Sequence, residues 1–216
     1  MKIEKLHYIT QSLNGKSHAD MAREACQAGV KWVQLRIKDS NEKQMLSEAE
    51  RVLAICKVYG AKFIMNDHVE LAKFIQADGV HLGKSDMRPE VARKILGDEV
   101  IIGGTANTLE DIISLHAQGV DYIGLGPLRF TDTKANLSPI LGFSGYKDII
   151  RQLIEKGIET PIIAIGGIQV EDVEELMRVG VHGIAVASLI NHSEQKKQTI
   201  NHVHKQLSYY GEIAHS

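Results

Sequence analysis

The chain has 216 residues, of which 44% are hydrophobic and 24% charged, and its formal net charge is -2. This is an ordinary globular composition, long enough for one large core, so we expect a single domain over 1–216. The near-neutral charge excludes nucleic-acid binding by bulk electrostatics, and any anion site has to be a local arrangement. No apolar stretch approaches the ~20 residues of a membrane span. The opening MKIEKLHYIT lacks the apolar run of a secretory signal. A cytoplasmic protein without a membrane partner is expected, and the sequence does not fix its oligomeric state.

Taken in chain order, short apolar runs alternate with amphipathic stretches. KLHYIT is the first strand, with MAREACQAG as the helix after it; WVQLRI then leads to NEKQMLSEAERVLAICKVYG. KFIMND and GVHLG are the third and fourth strands, followed by RPEVARKILG. VIIGGT precedes LEDIISLHAQG, and YIGLGP, PIIAIGG and GIAVAS complete the set, with VEDVEELMRVG between the last two. Several helical stretches end in Gly, which suits a left-handed helix terminus. Strand and helix alternating throughout imply a parallel sheet. Eight units in one domain point to the closed (β/α)8 TIM barrel, an α/β fold. The alternative is an open doubly wound sheet, which normally carries a glycine fingerprint after its first strand; here that turn is TQSLNGKS. Cys26 and Cys56 fall in helical stretches, as buried thiols without metal-ligand spacing.

The second strand carries an argument of its own. It reads Trp32-Val33-Gln34-Leu35-Arg36-Ile37-Lys38-Asp39, and strand side chains alternate. Val33, Leu35 and Ile37 face the helices, so Gln34, Arg36 and Lys38 face the barrel mouth. Two cations there need an anion, either carboxylates of neighbouring strands or a bound phosphate. The third strand ends in Asn66-Asp67, and the fourth runs into Asp86. These carboxylates suit ion pairs or Mg²⁺, which takes one or two carboxylates with phosphate oxygens and waters. Thr105 adds a hydroxyl at the end of the fifth strand. The segment from Pro127 to about Gly142 is long and irregular, and it offers Thr131, Thr133 and Lys134, either as a solvated loop or as ligands for an oxygen-rich anion. Gly166, Gly167 and Ser188 lie at the ends of strands seven and eight, where barrels recurrently hold phosphate. His81 points inward, where packing, hydrogen bonding and substrate contact are all open to it, and a structural role is expected.

The segments VQLRIKD, NDHVELA, ADGVHLGKSD, IIGGTANT, DYIGLGPLRFTDTK, PIIAIGGI and GIAVAS, in this order and at these intervals, resemble the thiamine phosphate synthase family over nearly the whole chain. The resemblance implies two small-molecule substrates, a hydroxymethylpyrimidine diphosphate and a hydroxyethylthiazole phosphate, joined with loss of pyrophosphate. It implies that Gln34, Arg36, Lys38, Asn66 and Lys134 hold the pyrimidine diphosphate. Thr105, Thr131 and Thr133 would contact its diphosphate, and Asp67 and Asp86 would bind Mg²⁺. Gly167, Ala187 and Ser188 would hold the thiazole phosphate, and Arg36, Lys38 and Lys134 would stabilise the leaving group. The chain departs from the family pattern at Lys84, Thr105 and Arg129-Phe130, which leaves loop details open. Three alternatives are a thiazole tautomerase-like relative, a non-catalytic phosphate-binding paralogue and another phosphate-binding barrel. The first often carries His at the position of Pro127, the second tolerates loss of the acidic pair or Lys134, and the third needs an acid–base pair that is not apparent.

Overall fold

The computed structural model describes residues 2–13, 15–37, 40–130 and 139–213. Eight parallel strands form one closed ring in sequence order, β1 to β8, with β8 pairing back onto β1. They are β1 Leu6–Ile9, β2 Trp32–Leu35, β3 Lys62–Asn66, β4 Gly79–Leu82, β5 Ile101–Ala106, β6 Tyr122–Leu125, β7 Ile162–Ile165 and β8 Gly183–Val186. The helices are α1 His18–Gln27, α2 Glu42–Tyr59, α3 Val69–Ile75, α4 Pro89–Leu96, α5 Leu109–Ala117, α6 Gly142–Lys156, α7 Val173–Val179, α8 Ser188–Asn191 and α9 Lys196–Ile213. Val170–Asp172 forms a 3-10 turn before α7. No helix of the described residues is long and apolar enough to cross a membrane.

Local chemistry explains where the helices begin and end. Ser17 with Asp20, and Thr108 with Asp111, form reciprocal capping boxes at the starts of α1 and α5, satisfying orphan N–H donors of the first turn. Gly60, Gly157 and Gly180 close α2, α6 and α7 in the left-handed conformation anticipated from the sequence.

Strand alternation divides the apolar residues into two cores. Val33, Leu35, Phe63, Met65, Val80, Leu82, Ile123 and Leu125 lie in the large cluster between strands and helices, with Ile37 packed against it. Ile9, Trp32, Ile64, Ile101, Tyr122, Ile163 and Ala185 fill the barrel interior. Hydrophobic burial on both faces of each strand is why these strands read as apolar runs.

Two details of this interior position the site. Tyr122 lies flat against β5, because a Cβ at Gly103 would sit 2.2 Å from its ring. Its ring meets Trp32 edge-on at 5.4 Å, and Trp32 stacks on His7 at 4.1 Å. At the seam, the Tyr8 hydroxyl donates to Asn191 Oδ1 at 2.6 Å, joining residues 183 apart in sequence.

Candidate active site

All eight strands run the same way, so their C-terminal ends share one rim. A cavity of about 160 Å³ opens there, and its lining includes Gln34, Arg36, Asn66, Asp67, Asp86 and Thr105. Six of the residues expected from the sequence thus converge from β2, β3, β4 and β5 and the turns that follow them. Lys38, Thr131, Thr133 and Lys134 lie outside the described residues.

Gln34 is buried and donates from Nε2 to Asn66 Oδ1 at 2.8 Å. This pairing satisfies a buried amide, as a water-excluded polar group requires, and fixes how Asn66 presents its own amide. Arg36 follows the last ladder residue of β2, and its backbone N–H donates to Thr10 Oγ1 at 3.3 Å. Thr10 is itself buried and lies 2.7 Å from His18 Nδ1. The Arg36 guanidinium is half-buried; burial holds it below its ordinary pKa, while nearby Asp67 acts in the opposite direction.

Asp67 and Asp86 form the acidic part of the site. Asp67 sits just past β3 at a φ of 68°, a left-handed conformation uncommon for a residue with a side chain and one that clusters at functional sites. Its N–H donates to the carbonyl of His81 at 2.9 Å. Asp86 accepts the Gly83 N–H at 2.6 Å. Burial, followed by the neighbouring Asp86 carboxyl, pushes Asp67 up to about 7. Two carboxylates so close cannot both ionise at low cost unless a cation joins them. Among the described residues no three His, Cys, Asp or Glu side chains form a metal cage. A pair of hard oxygen donors without thiolate or imidazole is the set expected for Mg²⁺ completed by phosphate oxygens and water.

His81 belongs to the site as well as to the barrel. Its Nδ1 lies 3.0 Å from the Tyr122 hydroxyl and its Nε2 2.9 Å from Thr105 Oγ1. The imidazole therefore forms part of the cavity lining and holds the Thr105 hydroxyl, in keeping with the inward, structural role expected of it. The signal was present in the alternation of β4, which turns His81 inward with Gly79. Tyr122 is held well above its ordinary pKa by burial, and His7, stacked below, well beneath its own for the same reason; both stay neutral. Lys84 pairs with Asp111 at 2.5 Å, which gives that cation a partner within the protein.

Gly167 follows β7, Ala187 follows the adjacent β8 and Ser188 opens α8; none of the three is in the lining of this cavity. Ala187, like Ile165, packs against the interior cluster. Gly166 and Gly167 take φ values of 97° and 67°. The sequence suggested that these glycines let the backbone approach a ligand. In the fold they also let it approach the segment after β6: a Cβ on Gly166 would lie 2.5 Å from Pro127 Cβ, and one on Gly167 would lie 3.0 Å from Arg129 Cβ. Arg129 grips Asp172 through both terminal nitrogens, with Nη2 2.6 Å from Oδ1. Burial alone would raise Asp172, but Arg129 and the Gln169 N–H hold it below the ordinary carboxylate value.

A family model described as thiamine monophosphate synthase matches residues 6–190. The chain belongs to the thiamine monophosphate synthase family. Within that family, the thiamine-phosphate synthase of Phocaeicola vulgatus is 51% identical over 189 residues, covering 88% of this chain and 91% of that protein. The thiamine-phosphate synthase of Flavobacterium johnsoniae is 48% identical over 203 residues, covering 94% and 96%. Among solved structures, the thiamine phosphate pyrophosphorylase from Pyrococcus furiosus matches with a TM-score of 0.82 at 30% identity, over 95% of this chain and 96% of that one. The resemblance seen in the motifs is thus a family relationship, and the closed barrel is a fold shared with that solved thiamine phosphate pyrophosphorylase.

Proposed function

We propose that the cavity at the β2–β5 rim binds the pyrimidine diphosphate and that the turn after β7 and the start of α8 bind the thiazole phosphate. Formation of thiamine phosphate is the activity of the family, and the chain is a transferase of that kind. The observation that carries the assignment is the convergence of Gln34, Arg36, Asn66, Thr105 and the neighbouring carboxylates Asp67 and Asp86 on one cavity. A guanidinium beside two carboxylates is electrostatically incomplete, and a metal-bound diphosphate satisfies both signs of charge.

In this arrangement Asp67 and Asp86 would hold Mg²⁺. Bound there, the ion would neutralise charge on the oxygens of the departing pyrophosphate. Gln34 and Asn66 orient the substrate, and Arg36, with Lys38 and Lys134 from the sequence, faces the charge that develops on the leaving group. Thr105, Thr131 and Thr133 supply hydroxyls to the same oxygens. Donors already aimed at developing charge lower the barrier without reorganising.

The reaction breaks the bond between the pyrimidine methylene carbon and the diphosphate oxygen. It leaves a carbocation stabilised by the aminopyrimidine, and the thiazole nitrogen then forms the new C–N bond. No proton has to move and no protein nucleophile is needed. The two His81 nitrogens are engaged by Tyr122 and Thr105, which suits a floor that must not attack the cation. Ile163, Ile165 and Ala185 form an apolar wall on the side facing the thiazole site, and exclusion of water there protects the cation.

The purified protein should form thiamine phosphate from the two substrates with Mg²⁺ supplied, and a chelator should abolish the reaction. Absence of product with both substrates and metal present would remove the reading. Product formation unaffected by chelation would remove the metal assignment alone.

A further inference from the structure

We propose that Arg129 and Asp172 are a positioning pair that sets the Gly166–Gly167 turn, and through it the affinity for the phosphate-bearing thiazole substrate. This rests on the assignment of that turn to the substrate phosphate.

Arg129 makes every kind of contact that could fix the turn. Its backbone N–H donates to the Gly166 carbonyl at 3.0 Å, and its Nη1 donates to the Gly167 carbonyl at 3.3 Å. One residue earlier, the Leu128 N–H donates to the Ile165 carbonyl at 2.9 Å. Three consecutive carbonyls are thus drawn towards the segment after β6. In a trans peptide the C=O and the following N–H point in opposite directions. The Gly167 and Ile168 N–H groups are therefore turned away from Arg129, as a pair of adjacent donors. Successive N–H groups of this kind form a concave anion site.

The guanidinium is itself held in place. Asp172 is buried, takes both terminal nitrogens, and also accepts the Gln169 N–H at 2.7 Å. The Phe143 ring lies 5.8 Å from the guanidinium carbon. Because the planar fork of Arg129 is filled by a carboxylate, it is not available to a substrate phosphate. Its action on the substrate passes through the turn.

The experiment is steady-state kinetics on Arg129→Gln, Arg129→Lys, Asp172→Asn and the double variant Arg129→Gln/Asp172→Asn, varying each substrate separately. Each single neutral variant should raise KM for the thiazole phosphate about tenfold, with KM for the pyrimidine diphosphate within about twofold and kcat within about threefold. Arg129→Lys should fall between wild type and Arg129→Gln. The double variant should be no worse than the more impaired single one, because the two residues act as one unit. It also carries the test if a single variant, left with one unpaired charge, does not fold. An unchanged KM for the thiazole phosphate, or an equal rise in both KM values, overturns the proposal. Gly167→Ala separates the two levels. If it raises only the thiazole phosphate KM while the Arg129 variants do not, the pair has no positioning role although the turn binds phosphate. If Gly167→Ala leaves that KM unchanged, the phosphate assignment of the turn fails, and the proposal fails with it.

Discussion

Replacing Asp86 with Asn should make the metal-free protein more stable and the ligand-bound protein less so. Asp67 is pushed from 3.8 to about 7 by burial and by the neighbouring Asp86; the full shift corresponds to ~4 kcal/mol against ionising the pair, and solvent screening at this half-buried site leaves less of it. Because the folded state binds this proton more tightly than the unfolded chain, the associated stability is present below about pH 4 and lost as pH rises to about 7. The amide introduced by Asp86→Asn can still accept the Gly83 N–H but carries no charge, and relieving about half of the cost returns about 2 kcal/mol. For a chain of this length that is a rise in Tm of about 4–8 °C at pH 8, shrinking towards zero at pH 5. Saturating Mg²⁺ and pyrophosphate should stabilise the wild type by about 3 kcal/mol at a hundredfold excess over Kd, and Asp86→Asn by much less. Thermal melts of both proteins at pH 5 and pH 8, with and without Mg²⁺ and pyrophosphate, read all of these. If Asp86→Asn is no more stable than wild type at pH 8 without ligand, the carboxylates are not in conflict. If it keeps the full ligand-induced shift, Asp86 does not bind the metal.

Arg36→Ala should lower kcat by about 100-fold, the ~3 kcal/mol typical of one preorganised contact to developing charge, while leaving Tm within a few degrees; near-normal turnover would take Arg36 out of the site. Thr10→Val keeps the shape but removes the acceptor of the Arg36 N–H and the partner of His18; losing about 1 kcal/mol of orientation should reduce kcat/KM about fivefold, and unchanged kinetics would show that Arg36 does not need this support. Gly103→Ala puts a methyl group 2.2 Å from the Tyr122 ring and should cost about 3 kcal/mol, or about 6–12 °C in Tm; an unaltered melting curve would mean that the barrel interior can yield there.

Much of this architecture was legible because periodicity survives folding. The alternation along the second strand placed Val33 and Leu35 outside and Gln34 inside, and both cores respect it. Arg36 was correctly given to the rim although the β2 ladder ends at Leu35; the parity of the chain persists one residue beyond its last hydrogen-bonded pair. Asp67 and Asp86 could be placed at neighbouring strand ends, but the left-handed backbone at Asp67 could not be read from the sequence. His81 could be turned inward, but its partners could not be named. Alternation gives its direction, whereas its partners Tyr122 and Thr105 are 41 and 24 residues away. The Arg129–Asp172 pair spans 43 residues and two loops. No pattern in a single sequence couples such positions, and only the meeting of the β6 and β7 ends reveals them.

The seam between β8 and β1 has a consequence for how the protein acquires activity. The Tyr8–Asn191 bond and the β1–β8 ladder connect the two ends of the barrel's chain. In the proposed assignment the pyrimidine residues come from β2 to β5 and from the sequence after β6, whereas the thiazole residues follow β7 and β8. An unzipped ring could keep each half locally ordered yet leave the two substrates facing different directions. Catalytic competence is therefore a property of the closed circuit, and amide exchange along the β1–β8 ladder should speed up at the same denaturant concentration at which turnover disappears.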